Sequence, residues 1–115
     1  MHDEDRVRLQ HMVEAAQCAI GFVSDRKRAD LDRDRMLLFA VTRAIEIVGE
    51  AAAKISEETR AAHGGIPWKA IVGMRNRLVH AYFDINADVV WQTVTVEIPQ
   101  VLPELLALAA TGRTK

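Results

Sequence analysis

Leu37-Leu38-Phe39-Ala40-Val41-Thr42-Arg43-Ala44-Ile45-Glu46-Ile47-Val48-Gly49-Glu50-Ala51-Ala52-Ala53-Lys54-Ile55 is the stretch that decides the fold. Leu37, Ala40, Val41, Ala44, Ile45, Ile47, Val48, Ala51, Ala52 and Ile55 recur at about 100° per residue and cover about half of a helical circumference. Arg43, Glu46, Glu50 and Lys54 form a stripe on the opposite side. That stripe reads either as a solvated face, supported by i,i+4 pairing of Glu50 with Lys54, or as the wall of a polar cleft. Phe39 lies among these charges, where a solvated helix has little use for an aromatic ring, and so points to a subunit contact.

Working outward, this spine is expected to run from about Asp32 to Ser56, with Asp30 or Asp32 as its cap. Upstream, Met12, Ala16, Ala19, Ile20 and Val23 give one buried stripe to a first helix over Asp5 to Val23. Downstream, His63-Gly64-Gly65 marks a loop, and Pro67 suits the first turn of a third helix, where its missing N–H has no partner to lose. Asp84 and Asn86 offer a stop and a new cap. A fourth helix then starts near Ala87, buries Val90, Val94, Ile98, Val101, Leu105 and Leu108, and should kink or break at Pro99 and Pro103. Nothing reads as a strand, so the expected fold is all-α, an antiparallel bundle of four to five helices forming one domain over residues 1–115.

With 50% hydrophobic and 27% charged residues, the chain has the balance of a soluble globular protein. Its net charge of -1 excludes a protein that coats nucleic acid by charge alone, so any such contact must be local. The single cysteine, Cys18, has no intrachain disulfide partner, and His2, His11 and His63 show no metal-ligand spacing. No metal and no cofactor are expected. Met1 to Arg6 is too polar for a signal peptide, and the apolar run Met36 to Ile55 carries too many charges for a membrane span. A reducing cytoplasm fits.

The octet Arg75-Asn76-Arg77-Leu78-Val79-His80-Ala81-Tyr82 concentrates the chemistry. On one straight helix, Trp68, Ile71, Val72, Leu78, Val79 and Tyr82 fall within about 60° of Arg75. A guanidinium inside an apolar stripe needs a carboxylate, a phosphate or a wet cleft, because it cannot shed its proton. Glu46 and Glu50 of the spine are the candidate partners. Lys69, Gly73, Asn76 and His80 share a flanking stripe on the same helix, which makes Asn76 and His80 neighbours. A lone histidine there is an ordinary solvated side chain, but this one sits beside an arginine, an amide and a phenol. Those groups suit phosphodiester chemistry: the imidazole moves protons, the guanidinium stabilises phosphate charge and Asn76 can orient the imidazole. Since Arg75 and His80 occupy different edges of a straight helix, their convergence requires a bend near His80 or a second subunit.

Gly73 to Phe83 contains the pattern R-x-x-x-x-H-x-Y and resembles the signature of the HEPN superfamily, specifically its HepT-like toxins. Arg43 to Ala52 is similar to that family's second-helix motif, Ile66-Pro67-Trp68 to its entry into the motif helix, and Val89-Val90-Trp91 to the start of its last long helix. The resemblance implies a homodimeric α-helical RNase that acts without metal. It also implies a partner, the minimal nucleotidyltransferase antitoxin MntA, within a toxin–antitoxin system. By position, Arg75 and His80 become the catalytic pair and Tyr82 the phenol modified with AMP. Ala81 stands where such proteins often carry Gly. Lys69, Arg77 and Arg43 are candidate RNA contacts that would supply the local positive field. The competing reading is a non-catalytic HEPN module that binds nucleotide or docks a nucleotidyltransferase; a third is a structural helical dimer with Arg75 in an ordinary buried salt bridge.

Overall fold

The computed structural model describes residues 1–81 and 84–111, with His80 and Ala81 described in backbone only. The described chain is mostly helical. Helix α1 (Asp3–Phe22) carries three acidic residues in its first turn, where the helix dipole favours them. It ends in a turn in which Asp25 takes the left-handed region at φ 61°, a conformation that Asp tolerates better than most residues. After the single turn α2 (Asp30–Arg33), Asp34 caps the spine helix α3 (Arg35–Ala53) by accepting a hydrogen bond from the Leu37 amide. The cap is therefore Asp34, because Asp30 is already engaged: its carboxylate accepts from the Lys27 amide at 2.8 Å and closes the preceding turn.

The predicted stripes form the core. Leu37, Val41, Ala44, Ile45, Val48, Ala51, Ala52 and Ile55 of the spine are buried, as are Met12, Ala16, Ala19 and Val23 of the first segment. Helix α1 lies along α3 in the opposite direction. Its end is joined to the start of α3 by residues 23–34, while its own first turn meets the far end of α3. There the Asp5 carboxylate accepts hydrogen bonds from the Ser56 amide (2.9 Å), the Ser56 hydroxyl (2.6 Å) and the Thr59 hydroxyl (2.6 Å).

Ser56 also caps a short helix α4 (Glu57–Ala62) between the spine and the His63-Gly64-Gly65 loop. Its signal was present in Ser56 followed by Glu57 and Glu58, a capping residue before two acids. Trp68 then seats α5 (Trp68–Val72) by donating its indole N–H to the His63 carbonyl at 3.1 Å.

The third helix is not the straight rod expected. It is divided at Gly73 into α5 and α6 (Met74–Leu78), and it ends where Val79 turns extended at φ -126°, ψ 115°. Two short strands follow, β1 (Val79–Ala81) and β2 (Asp84–Ile85), paired antiparallel with Val79 opposite Ile85 and Ala81 opposite Asp84. The expectation of no strand is thus overturned. β-branched Val79 and Ile85 favour the extended pair, and the Asn86 amide closes it on the Leu78 carbonyl at 2.8 Å.

Asn86 then caps α7 (Ala87–Gln92), as predicted, by accepting from the Val89 amide. Helix α8 (Ile98–Thr111) continues from α7 through a widened π segment, Thr93–Glu97. Pro99 and Pro103 therefore do not break the final helix. In the wide turn the Ile98 amide bonds to the Thr93 carbonyl, five residues back, and this loosens the turn that the Pro99 ring would otherwise crowd. Thr93 and Thr95 hydroxyls donate to the Val89 and Trp91 carbonyls.

All six predicted stripe residues of this helix are buried. Its start is tied to the α1–α3 connection by Arg28 and Asp88 at 2.7 Å, and its far end shares a hollow with His63 and Ile66. It thus runs alongside α3 and against α1. Ala87–Thr111 is the one helix among the described residues long and apolar enough to cross a membrane, a test that a packed core helix also passes.

Candidate active site

The break at Gly73 changes where Arg75 points. The buried residues of α5 and α6 are Trp68, Ile71, Met74 and Leu78, and Arg75 stands beside that stripe with its side chain 49% exposed. The straight-helix projection that placed it mid-stripe fails because Gly73 ends one helix and the Asn76 amide starts the next with a tight bond to the Gly73 carbonyl. Arg75 therefore avoids the cost of a buried cation and reaches the charged stripe of α3. Its Nε donates to Oε2 of Glu46 at 3.2 Å, and its two terminal nitrogens donate to no described residue.

Glu46 is the hub. Its side chain is only 18% exposed, and its other oxygen faces Arg43 at 3.5 Å. Arg43 in turn reaches Glu50 at 3.2 Å. Of the two candidate partners of Arg75, Glu46 takes the contact and Glu50 pairs with Arg43. Of the spine stripe, Arg43, Glu50 and Lys54 are exposed and Glu46 is half-buried, and Arg43 and Glu46 form one side of a cleft. A hollow of about 270 Å³ opens there, lined by Phe39, Thr42, Arg43, Glu46, Val79 and Ile85. Phe39 is 46% exposed with the Arg35 guanidinium 5.0 Å from its ring centre, and the buried Thr42 hydroxyl has no hydrogen-bond partner among the described residues.

Gly49 fixes how closely the motif approaches this wall. A Cβ there would stand 3.2 Å from the Ile71 carbonyl oxygen and 3.3 Å from that of Val72, so any side chain would have to push the end of α5 back from α3. Three residues beyond Val72, α6 delivers Arg75 to Glu46. The chain then bends into β1, and the register slips between Val79 and Ala81, which makes His80 the extra residue of the bulge. Bulges re-aim the strand they interrupt and are frequent beside active sites. The bend near His80 that convergence required is present in the backbone. Asn76 and His80 are consequently not neighbours on one helix face. The side chain of His80, and Tyr82 altogether, lie outside the described residues.

The remaining sequence candidates are dispersed. Arg77 pairs with Glu97 of the π segment at 2.8 Å and so ties α6 to the last helix. Lys69 lines a separate hollow with Glu57, Arg60 and Trp68. Asn76 is exposed. Among the described residues, no group of three metal-ligating side chains occurs.

The family profile described as ribonuclease HepT-like matches residues 12–108. The chain belongs to the HepT-like family. Within that family it is similar to a "Putative RNase" of Caldanaerobacter subterraneus subsp. tengcongensis, 37% identical over 92 residues that cover 80% of this chain and 82% of that one. It is likewise similar to a "Putative RNase" of Methanocaldococcus jannaschii, 35% identical over 97 residues, 84% of this chain and 89% of the relative. A "Probable ribonuclease HepT" of Thermococcus cleftensis is 37% identical over 91 residues, 79% and 83% of the two chains. No solved structure matches the chain at a significant level. The HepT-like profile spans the spine and the motif segment, which line the cleft, and most of the last helix.

Proposed function

We propose that this HepT-like chain is the toxin of a type VII toxin–antitoxin pair, a metal-independent cytoplasmic ribonuclease acting as a homodimer. The observation that carries the reading is Arg75, held at the cleft wall by one Nε bond to Glu46 with its terminal nitrogens bonded to no described residue, five residues before a bulged His80. A guanidinium anchored on one edge presents the other to a phosphate. The provisional RNase names of the relatives give the phosphate its source in RNA.

RNA brings its own nucleophile. His80 takes the proton of the 2′-hydroxyl as that oxygen bonds to phosphorus, Arg75 stabilises the added charge, and the P–O bond to the 5′-oxygen breaks as that oxygen receives a proton. The products are a 2′,3′-cyclic phosphate and a 5′-hydroxyl. The proton donor is assigned to His80 of a second subunit across the two-fold axis, which gives the dimer a chemical reason. Exposed Met36 and Phe39 on α3, beside the cleft, are the apolar surface such a dimer would cover.

Modification of Tyr82 by an MntA-like antitoxin would add the phosphate and bulk of AMP to the motif and silence the enzyme. Labelled RNA incubated with the purified protein and a chelator tests the chemistry. Cleavage leaving a cyclic phosphate, lost in Arg75→Ala and in His80→Ala with folding retained, is the expected result; full activity in either variant overturns the assignment. Tyr82→Phe should cleave RNA and resist silencing by AMP transfer.

A further inference from the structure

A second hollow, of about 250 Å³, opens between α1 and α3 and is lined by Arg8, His11, Arg43, Glu50 and Lys54 over a floor of Ile47 and Ala51. Glu50 is engaged by Arg43, whereas Arg8, His11 and Lys54 form no ion pair with any described residue. Two cations without an ion pair among the described residues, Arg8 and Lys54, thus flank the paired Arg43 and Glu50, in a chain whose net charge is -1. Like charges around a concavity on two packed helices repel one another, and an anion that enters relieves the repulsion. Arg43 lines this hollow and also the one beside Glu46 and Val79, so the two adjoin at its side chain on α3. From Arg43 to Lys54 the helix advances about 16 Å, longer than one nucleotide.

We propose that this hollow is a phosphate subsite for single-stranded RNA, holding the backbone on Arg8 and Lys54 at a distance from the phosphate cleaved at Arg75. The identity of the ligand rests on the ribonuclease reading; the anion site does not. Its lining has no Phe, Tyr or Trp and its cations suit phosphate, so it grips backbone and does not read bases. The subsite supplies the local positive field that the overall composition lacks, and it makes affinity depend on RNA length.

The test is equilibrium binding, across a salt series, of labelled RNAs either long enough or too short to reach from Arg75 to Lys54. The proteins compared are wild type, the Arg8→Gln/Lys54→Gln double variant, and a control, Lys27→Gln/Arg33→Gln, that removes the same charge in the α1–α3 connection. The double variant should bind the long RNA about tenfold more weakly, and its log K against log salt slope should fall by about 1.4, about 0.7 for each lost contact to a single strand. Binding of the short RNA should not change. An unchanged slope, or an equal change in the control, overturns the proposal. An equal loss of affinity for polyglutamate assigns the hollow to an acidic protein surface and also overturns it. Absence of cleavage by the wild type defeats the ribonuclease reading alone, because the slope is read from binding; absence of RNA binding by the wild type defeats both.

Discussion

Glu46 accepts Arg75 on one oxygen and faces Arg43 with the other, so it orients two cations while cancelling part of their charge. Removing it has opposite effects on binding and on chemistry. Glu46→Ala should lower KM for RNA, since a carboxylate beside the phosphate is gone. It should also lower kcat by about 100-fold, because the freed guanidinium no longer holds its geometry. Glu46→Gln, which keeps an acceptor, should recover part of kcat. Steady-state kinetics on a defined RNA separate the two, and an unchanged kcat would refute the positioning role.

Asp5 is the structural counterpart. Burial pushes its carboxyl pKa up, but hydrogen bonds from Ser56 and Thr59 and the charge of His2 outweigh burial and hold it below the ordinary 3.8. A lowered folded-state pKa means that the unfolded chain binds the proton first as pH falls. The contribution is therefore complete above 3.8 and is lost as pH drops through the folded value. Asp5→Asn should cost about 2 kcal/mol at neutral pH and flatten the acid limb of a denaturation series. An acid limb parallel to wild type would contradict this.

At the level of elements, the motif segment depends on close backbone contact more than on its own helix-forming strength. Helices α5 and α6 have five residues each, too short to persist without packing. Gly49 provides that packing by letting the Ile71 and Val72 carbonyls rest on α3. Gly49→Ala gains about 1 kcal/mol of helix propensity. The added methyl nevertheless meets backbone, which yields poorly, and overpacking of this kind costs about 1–3 kcal/mol. The expected outcome is a lower Tm together with a larger fall in RNA cleavage, because α6 carries Arg75 away from Glu46. A rise in Tm with activity intact would show that the contact is loose.

For the whole molecule, the exposed apolar side chains beside the cleft bear on the proposed assembly. Met36 is 83% exposed and Phe39 46%, on the same helix as Glu46 and next to the cleft. Phe39→Asp should convert the proposed dimer to a monomer in sedimentation equilibrium and abolish cleavage, while the single-chain core, which Phe39 does not enter, remains folded. A variant that stays dimeric and active would move the subunit contact elsewhere.

The sequence alone determined the helical class, the buried stripes of α1, α3 and the last helix, the Asn86 cap and the motif residues, because periodicity, capping chemistry and residue type are local properties. The partner of Arg75 was narrowed to two carboxylates but not chosen. Only the tertiary structure decided that Arg75 meets Glu46, that the motif helix is divided at Gly73 and bends at Val79, and that Arg8 and Lys54 flank one hollow. It also replaced the expected break at Pro99 with a π turn. Each of these depends on what packs against the segment: the α3 surface under Gly49, the β2 strand beside Val79, the α1 face opposite Lys54. A helical projection assumes an unbroken rod, and the breaks are placed by long-range contacts that no window of sequence contains.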